Sequence, residues 1–234
     1  MKTIYAGTSG WAYSSWKRGF YPPKLSSADF LNFYATRLNS VEVNYTFRNI
    51  ATTDLQKSWI AATPAGFKFA VKAHQSITHF KRLRGAAKST KEFFASLQPL
   101  RDSKKLGPVL FQLPPNFKCD LPLLRSFLTG LQRNVCAAFE FRHESWFNDD
   151  VYDLLRRSRV ALCRAESDKL ITPDVTTTNF SYLRLRKDRY PAKVRKELAK
   201  TARSLASRGD VFVYFKHEDA PDGALHAESL LKAI

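Results

Sequence analysis

Eight short apolar runs alternate along the chain with longer segments of helical period, and this alternation constrains the fold most strongly. The runs predict strands at residues 4–7, 40–44, 67–72, 108–113, 137–142, 160–164, 180–184 and 211–215. The segments between and after them predict helices at residues 28–38, 53–62, 90–97, 121–130, 149–158, 192–207 and 224–233. Strands that alternate with helices in this way are typical of a parallel sheet with helices on its faces.

A closed (β/α)8 barrel and an open doubly wound sheet both fit this alternation. The 234 residues are close to the about 250 of a typical barrel, and no linker or low-complexity segment interrupts them. An open dinucleotide-binding sheet normally has the turn G-x-G-x-x-G after its first strand, whereas here Gly7 and Gly10 are followed by Trp11. We therefore predict an α/β fold, a closed parallel (β/α)8 TIM barrel, with residues 1–234 in a single domain.

The charge balance indicates an anionic partner. Lys and Arg number 38 against 21 Asp and Glu, a formal charge of +17. Such an excess favours a phosphate-bearing small molecule or nucleic acid. No segment approaches the about 18 uninterrupted apolar residues of a membrane span, and the first residues lack the apolar region of a secretory signal. The sequence therefore predicts a soluble cytoplasmic protein without a membrane partner, and it leaves the oligomeric state open.

Polar residues occupy the strand positions that should face the barrel lumen. Side chains alternate across a strand, so one parity faces the helices and the other faces the lumen. In the second strand Val41 and Val43 take the helix side, and Glu42 and Asn44 therefore face the lumen. The same rule places these polar residues of the other strands in the lumen: Lys72, Gln112, Glu140, Arg142, Arg164, Arg184 and Arg186.

Buried charges of this kind must be paired with one another or bind a ligand, because each otherwise costs several kcal/mol. One interpretation is a set of salt bridges that fills the barrel. The other is a functional site, since the charges fall at strand C-termini, where TIM-barrel enzymes keep their active sites. If Arg142 shares a network with Glu140, its replacement by alanine should destabilise the fold by about 3 to 5 kcal/mol. If Arg142 is instead a solvent-open clamp for the ligand, the replacement should weaken phosphate binding and leave stability nearly unchanged.

Five motifs in these segments resemble the YecE-like family, also called domain of unknown function 72. They are GTSGWAY at residues 7–13, VEVNYTF at 41–47, FAVK at 69–72 followed by ITH at 77–79, FQLPP at 111–115, and FEFRHESW at 139–146. The resemblance covers nearly the whole chain and implies a TIM barrel without an agreed activity. This chain departs from the family after its last strand, where residues 215–219 read FKHED instead of carrying paired asparagines.

Glu42 and Glu140 are the candidate general acid and base, because a dry lumen and nearby cations can separate their pKa values. A glycosidase would use such a pair. The lumen is, however, more cationic than a neutral sugar requires, and Arg and Lys suit phosphate. His79 is a candidate for proton transfer. The predicted substrate-binding residues are Trp11, Asn44, Lys72, Gln112, Arg142, His143, Arg184, Arg186 and Lys216.

A basic stretch and several histidines have structural explanations as well as functional ones. The basic stretch at residues 184–208 is in large part a solvated helix face, so only Arg184 and Arg186 are kept as site residues. His74, His79, His143 and residues 217–219 offer metal ligands, but their spacing matches no dedicated motif. No metal ligand is assigned, the cofactor is unknown, and binding of a divalent metal stays open.

Three functions are compatible with these residues. The leading hypothesis is an enzyme that acts on a phosphate-bearing substrate, with phosphodiester hydrolysis of a nucleotide or nucleic acid as the reaction. The second is a non-catalytic barrel that binds nucleic acid through surface charge. The third is a sugar isomerase or glycosidase, which needs a neutral ligand with which phosphate does not compete.

Overall fold

The computed structural model describes residues 2–132, 135–166, 170–187, 189–216 and 220–234. Its strands are β1 (Ile4–Thr8), β2 (Ser40–Val43), β3 (Lys68–Lys72), β4 (Leu106–Gln112), β5 (Ala137–Glu140), β6 (Ala161–Glu166), β7 (Phe180–Leu185) and β8 (Asp210–Phe215). Its α-helices are α1 (Phe30–Arg37), α2 (Thr53–Ala61), α3 (Ala87–Ser96), α4 (Gln98–Asp102), α5 (Leu121–Thr129), α6 (Asp149–Ser158), α7 (Ala192–Ala206) and α8 (Asp222–Lys232).

The eight strands form one nearly closed parallel barrel in the order β1-β8-β7-β6-β5-β4-β3-β2. Each hydrogen-bonded neighbour pair is parallel. The predicted TIM barrel is therefore confirmed. The extent of a single domain over residues 1–234 stays a prediction. None of the helices in the described residues has both the length and the apolar character that a bilayer span requires.

One helical segment differs from the sequence prediction, and the described part of one connection lacks the helix of a regular (β/α)8 barrel. The segment after β3 forms two helices rather than one, because Pro99 stands in the first turn of α4, where its missing N–H is tolerated and a new helix begins. The described residues between β6 and β7 form no helix, although the barrel pattern predicts one there. Instead, the Thr172 and Thr177 hydroxyls accept hydrogen bonds from backbone N–H groups of β6.

Side chains rather than backbone pairs join β1 to β2, and we call this junction the seam. The Asn39 side chain accepts a hydrogen bond from Ala6 N at 2.8 Å and donates one to Ile4 O at 2.9 Å. The Tyr34 hydroxyl accepts from Thr8 N at 2.8 Å and donates to Ser40 O at 3.0 Å. These two side chains take the place of a ladder between the first and second strands.

The lower lumen, toward the N-terminal ends of the strands, is filled with aromatic rings. Tyr5 of β1 stacks on Phe212 of β8 with centroids 4.8 Å apart, and Tyr182 lies 5.3 Å from Tyr214. Small side chains of β6, Ala161 among them, complete this buried cluster. These residues fill the lumen toward the N-terminal ends of the strands, whereas the charged residues of the lumen lie toward the C-terminal ends.

Candidate functional site

Arg184 lies at the centre of the upper lumen and is only 2% exposed. Its Nε and Nη2 donate to the two carboxylate oxygens of Glu42 at 2.9 and 2.7 Å, and its Nη1 donates to Glu140. The three residues stand on β7, β2 and β5, so their ion pairs cross the barrel. Arg142 extends this series of ion pairs, because its Nε donates to Glu140 Oε1 at 2.8 Å. We call these four residues the lumen network.

Glu42 is fully buried and its carboxylate is saturated with donors. Besides Arg184, the Ser9 hydroxyl donates to it at 3.0 Å and the Tyr182 hydroxyl at 2.7 Å. Burial by itself raises the pKa of Glu42, but the charge and hydrogen bonds of Arg184 outweigh it and the net shift is downward. Glu42 is therefore ionised at neutral pH and has no proton to donate.

Glu140 is held in the same state. Burial opposes its ionisation, whereas Arg184 and Arg142 favour it, and together they lower its pKa from 4.5 to about 2. A carboxyl group with so low a pKa is a weak base and is not a general acid near pH 7. The general-acid role expected for either carboxyl group is therefore not supported by its surroundings.

The lumen network should make the fold sensitive to acid. The folded-state pKa of Glu140 lies below its ordinary value of 4.5. Its contribution is therefore fully present above about pH 4.5 and is lost as the pH falls toward 2. We expect this group alone to remove on the order of 3 kcal/mol of unfolding free energy over that interval. Urea titrations between pH 6 and 2.5 measure the decline. The Glu140→Gln variant should lose less over the same interval, and an equal decline in both proteins would contradict this account.

A cavity of about 480 Å³ opens directly above the lumen network. Its polar lining includes six cationic side chains, a histidine and three amides: Arg48, Lys72, Arg142, Arg184, Arg186, Lys216, His79, Asn44, Asn49 and Gln112. No carboxylate among the described residues lines it. A second cavity of about 490 Å³ shares Arg142, Arg186 and Lys216 with the first, and Glu140 and Glu166 add the only carboxylates of its described lining. We call the first space the mouth cavity.

Burial and neighbouring cations lower the pKa values of Lys72 and His79 in the mouth cavity. Burial, followed by the charge of Arg184, lowers the pKa of Lys72 to about 8. Burial and the charges of Lys72 and Arg142 lower the pKa of His79, so its ring is neutral at pH 7. The ring of Phe47 lies between them, with Lys72 Nζ 4.0 Å from its centroid and the His79 ring at 4.8 Å.

Two amide oxygens in the mouth cavity lack a hydrogen-bond partner among the described residues. They are Gln112 Oε1 and Asn44 Oδ1. Gln112 is only 3% exposed, so leaving its oxygen unpaired carries a desolvation penalty of about 1 to 3 kcal/mol. Both oxygens can accept hydrogen bonds, and a ligand with hydroxyl or amine groups would satisfy them.

Most of the predicted site residues meet at this end of the barrel. Eight line the mouth cavity: Asn44, Lys72, His79, Gln112, Arg142, Arg184, Arg186 and Lys216. Glu42 lies beneath the cavity, and Glu140 lines only the neighbouring one. Sequence reasoning missed six further residues that line the mouth cavity: Ser9, Tyr13, Tyr45, Phe47, Arg48 and Asn49. Four of these stand inside the motifs at residues 7–13 and 41–47, which could have pointed to them.

The prediction that Arg164 faces the lumen is wrong. Its guanidinium contacts Asp174 at 2.5 Å and the Thr176 hydroxyl at 2.8 Å, outside the barrel. In register, Arg164 pairs with Leu183, while Cys163 and Ala165 pair with Tyr182 and Arg184. Small residues of β6 face inward because the large side chains of β7 occupy the adjoining lumen.

Trp11 and His143, which the sequence predicts to bind substrate, line neither cavity, so their contact with substrate stays a prediction. The Trp11 ring packs edge-on against Trp59 with centroids 5.7 Å apart, so it belongs to the hydrophobic packing. His143 Nδ1 accepts a hydrogen bond from Ser145 N at 3.2 Å and caps the 3-10 helix Glu144–Trp146. Local packing and capping thus explain both residues.

Metal ligands do not cluster in the part of the chain that the structure describes. No group of three or more His, Cys, Asp or Glu side chains there could hold an ion. The candidate ligands at residues 217–219 lie outside the described residues.

The fold and the mouth cavity define a TIM-barrel protein with a cationic candidate site at the C-terminal ends of its strands. A family comparison then assigns the chain. It belongs to the family described as protein of unknown function DUF72, whose model matches residues 5–234. The predicted family is confirmed, and its description assigns neither an activity nor a substrate.

Individual relatives agree with this assignment. The chain is similar to UPF0759 protein YunF of Bacillus subtilis, with 34% identity over 157 residues, which are 64% of this chain and 54% of that protein. The match thus spans about half the length of that relative. A solved DUF72 family protein from Thermotoga maritima has 25% identity and a TM-score of 0.85 over 98% of each chain. An AP endonuclease of family 2 from Brucella melitensis shares the fold alone, with 10% identity and a TM-score of 0.57 over 99% of this chain and 97% of that one.

Proposed function

We propose that this barrel is an enzyme that binds a phosphate-bearing substrate in its mouth cavity. The observation that carries the proposal is the lining of that cavity, with six cationic side chains and no described carboxylate. Like charges held together in a partly buried space repel one another, and an anion relieves that repulsion. Phosphate offers several acceptor oxygens to guanidinium and ammonium donors.

Some cations of the mouth cavity are ion-paired with carboxylates of the protein, and others are not. Arg184 is fully engaged with Glu42 and Glu140, so it supports the site without being free to bind substrate. Arg186 and Lys216 form no ion pair with a described residue and line both cavities. Burial and the adjacent Arg184 lower the pKa of Arg186, which reflects its uncompensated charge. Arg186 and Lys216 are therefore the proposed phosphate ligands, with Arg142 beside them.

The ionisation state of Glu42 and Glu140 limits the reactions that the site can catalyse. Phosphodiester hydrolysis, the reaction expected from the sequence, needs a proton for the leaving oxygen. Glu42 and Glu140 are ionised and hold none, which leaves His79 and Lys72 as the groups able to exchange protons at neutral pH. A glycosidase is supported less, because it requires one protonated carboxyl group of the pair. The phosphate-bearing substrate is thus better supported than cleavage of a phosphodiester bond.

Removal of Arg186 should weaken phosphate binding strongly. In the Arg186→Ala variant we expect the Kd for inorganic phosphate to rise about 10-fold to 100-fold, the effect of one charge-assisted hydrogen bond. Isothermal titration calorimetry at about 0.15 M salt measures it, since surface charges are largely screened there. The matched control is Lys200→Ala, which removes one positive charge from the exposed face of α7.

The control separates the proposal from the binding of anions by overall charge. Lys200→Ala should change the phosphate Kd by less than about 2-fold, because its charge lies in solvent. Equal losses in both variants would favour the non-catalytic barrel that binds nucleic acid through its surface. Wild-type protein that binds no phosphate would remove the proposal altogether.

A further inference from the structure

We propose that Lys72 is a nucleophilic amine that forms a Schiff base with a small phosphate-bearing aldehyde or ketone held in the mouth cavity. This inference rests on the proposed function and specifies its substrate class. It changes the role of Lys72 from a group that exchanges protons to the group that forms a covalent bond with the substrate.

The position of Lys72 suits a reacting amine. It is the last residue of β3, its side chain lines the mouth cavity, and its Nζ lies over the Phe47 ring. Lys72 forms no ion pair or hydrogen bond through its amine with any described residue, although two carboxylates lie in the same lumen. Those carboxylates are already taken, because Arg184, Arg142, Tyr182 and Ser9 donate to them. The amine therefore has no ion pair or hydrogen bond to a described residue that a substrate would have to displace, and its contact is with the Phe47 ring.

The charge around Lys72 favours its neutral, nucleophilic form. A lysine becomes a nucleophile when it is desolvated or lies beside another cation, because both conditions disfavour the ammonium ion. Lys72 meets both conditions through burial and through Arg184, and its pKa falls to about 8. At pH 7.5 Lys72 would be a neutral amine in about a quarter of the protein molecules. This fraction is on the order of a hundred times the neutral fraction of an exposed lysine.

The reaction needs only groups that the cavity already holds. The Lys72 nitrogen attacks the carbonyl carbon, a C–N bond forms, and the carbonyl π electrons move to oxygen. Transfer of a proton from nitrogen to that oxygen gives a carbinolamine, which then loses water to form the C=N bond. The neutral ring of His79, in the same cavity, can carry the proton between nitrogen and oxygen. One amine and one carbonyl give one imine and one water, without oxidant or reductant.

The remaining lining of the mouth cavity fits a small sugar phosphate. Arg186 and Lys216 would hold the phosphate group at the rim. The unpartnered oxygens of Gln112 and Asn44 would accept hydrogen bonds from the hydroxyl groups of such a substrate. Gln112 and Lys72 stand on the neighbouring strands β4 and β3, so both face one ligand. This arrangement accounts for a buried acceptor that the protein itself leaves unpaired.

Imine trapping tests the inference. Wild-type protein is incubated with dihydroxyacetone phosphate and sodium cyanoborohydride at pH 7.5, and the adduct is located by peptide mass spectrometry. We expect one reduced adduct at Lys72, at least about tenfold above any other lysine. Lys105 is an internal control, because its amine donates to Ile60 O and Thr63 O in a separate buried place. Dihydroxyacetone, which lacks the phosphate, should label Lys72 at least tenfold less, and inorganic phosphate should compete.

Two variants keep the outcomes distinct. Lys72→Arg preserves the positive charge but cannot form an imine under these conditions, so the adduct should vanish while phosphate still binds within a few-fold of wild type by calorimetry. Lys72→Met provides a second test if the arginine disturbs the cavity. Phosphate binding that depends on Arg186, with adducts spread over exposed lysines, would overturn this inference and leave the proposed function standing. Absence of phosphate binding, with equal labelling by both probes, would overturn the proposed function as well.

Discussion

Replacement of Arg184 by methionine is expected to lower the free energy of unfolding by about 3 to 5 kcal/mol. Arg184 is 2% exposed and is the ion-pair partner of two buried carboxylates. Methionine fills a similar volume but offers no positive charge, so Glu42 loses its bidentate partner and Glu140 keeps only Arg142. Chemical denaturation at pH 7 and low salt measures the loss.

Two further variants show whether uncompensated charge is the cause. In the triple variant Arg184→Met, Glu42→Gln, Glu140→Gln no carboxylate is left without a partner, and much of the lost stability should return. Arg142→Ala should cost no more than about 2 kcal/mol, the value of one charged hydrogen bond. This is less than the sequence led us to expect, because the Arg142 side chain is 33% exposed and Glu140 retains Arg184. An Arg184→Met variant as stable as wild type would show that the lumen network does not hold the barrel.

Replacement of Gly7 by alanine should destabilise the protein by at least about 3 kcal/mol, through overpacking at the seam. A Cβ atom at this position would lie 1.8 Å from Ser40 O and 2.7 Å from the Tyr34 hydroxyl. Neither atom can move away easily, because the Tyr34 hydroxyl donates a hydrogen bond to Ser40 O and accepts one from Thr8 N. For a chain of this length the midpoint of thermal unfolding should fall by about 6 to 12 °C or more.

Gly66→Ala is the matched control for this prediction. A Cβ atom added at Gly66 meets nothing within 4 Å, so the substitution should change stability by no more than about 0.5 kcal/mol. If Gly7→Ala proves as harmless as Gly66→Ala, the close approach of β1 and β2 does not govern barrel closure.

The alternation of apolar and polar residues was enough to predict much of this architecture. Val41 and Val43 on one side and Glu42 on the other determined the orientation of β2 without further information, and Phe139 and Phe141 did the same for Glu140. The rule failed at β6, where Cys163 and Ala165 are small and only weakly apolar. Their inward direction depends on the size of the β7 side chains beside them, which is a property of the folded barrel.

The partners of the site residues were beyond sequence reasoning for a related reason. Alternation indicates that a side chain faces the lumen, but it does not indicate which cation neutralises which carboxylate. Arg184 takes both glutamates, and this leaves Lys72 free, a result that depends on distances across the barrel. Histidines in loops are equally ambiguous, since His143 caps a turn whereas His79 lines the mouth cavity.

The lumen network also has a consequence for the order of folding events. Arg184 and Glu42 are separated by 142 residues in the chain, so their contact requires the closure of a very long loop. We therefore expect this contact to form after the local βα units have assembled. Interactions that are absent from the transition state slow unfolding and leave the folding rate nearly unchanged. We therefore expect the charged layer beneath the mouth cavity to slow unfolding, and so to determine how long a barrel stays closed once it has formed.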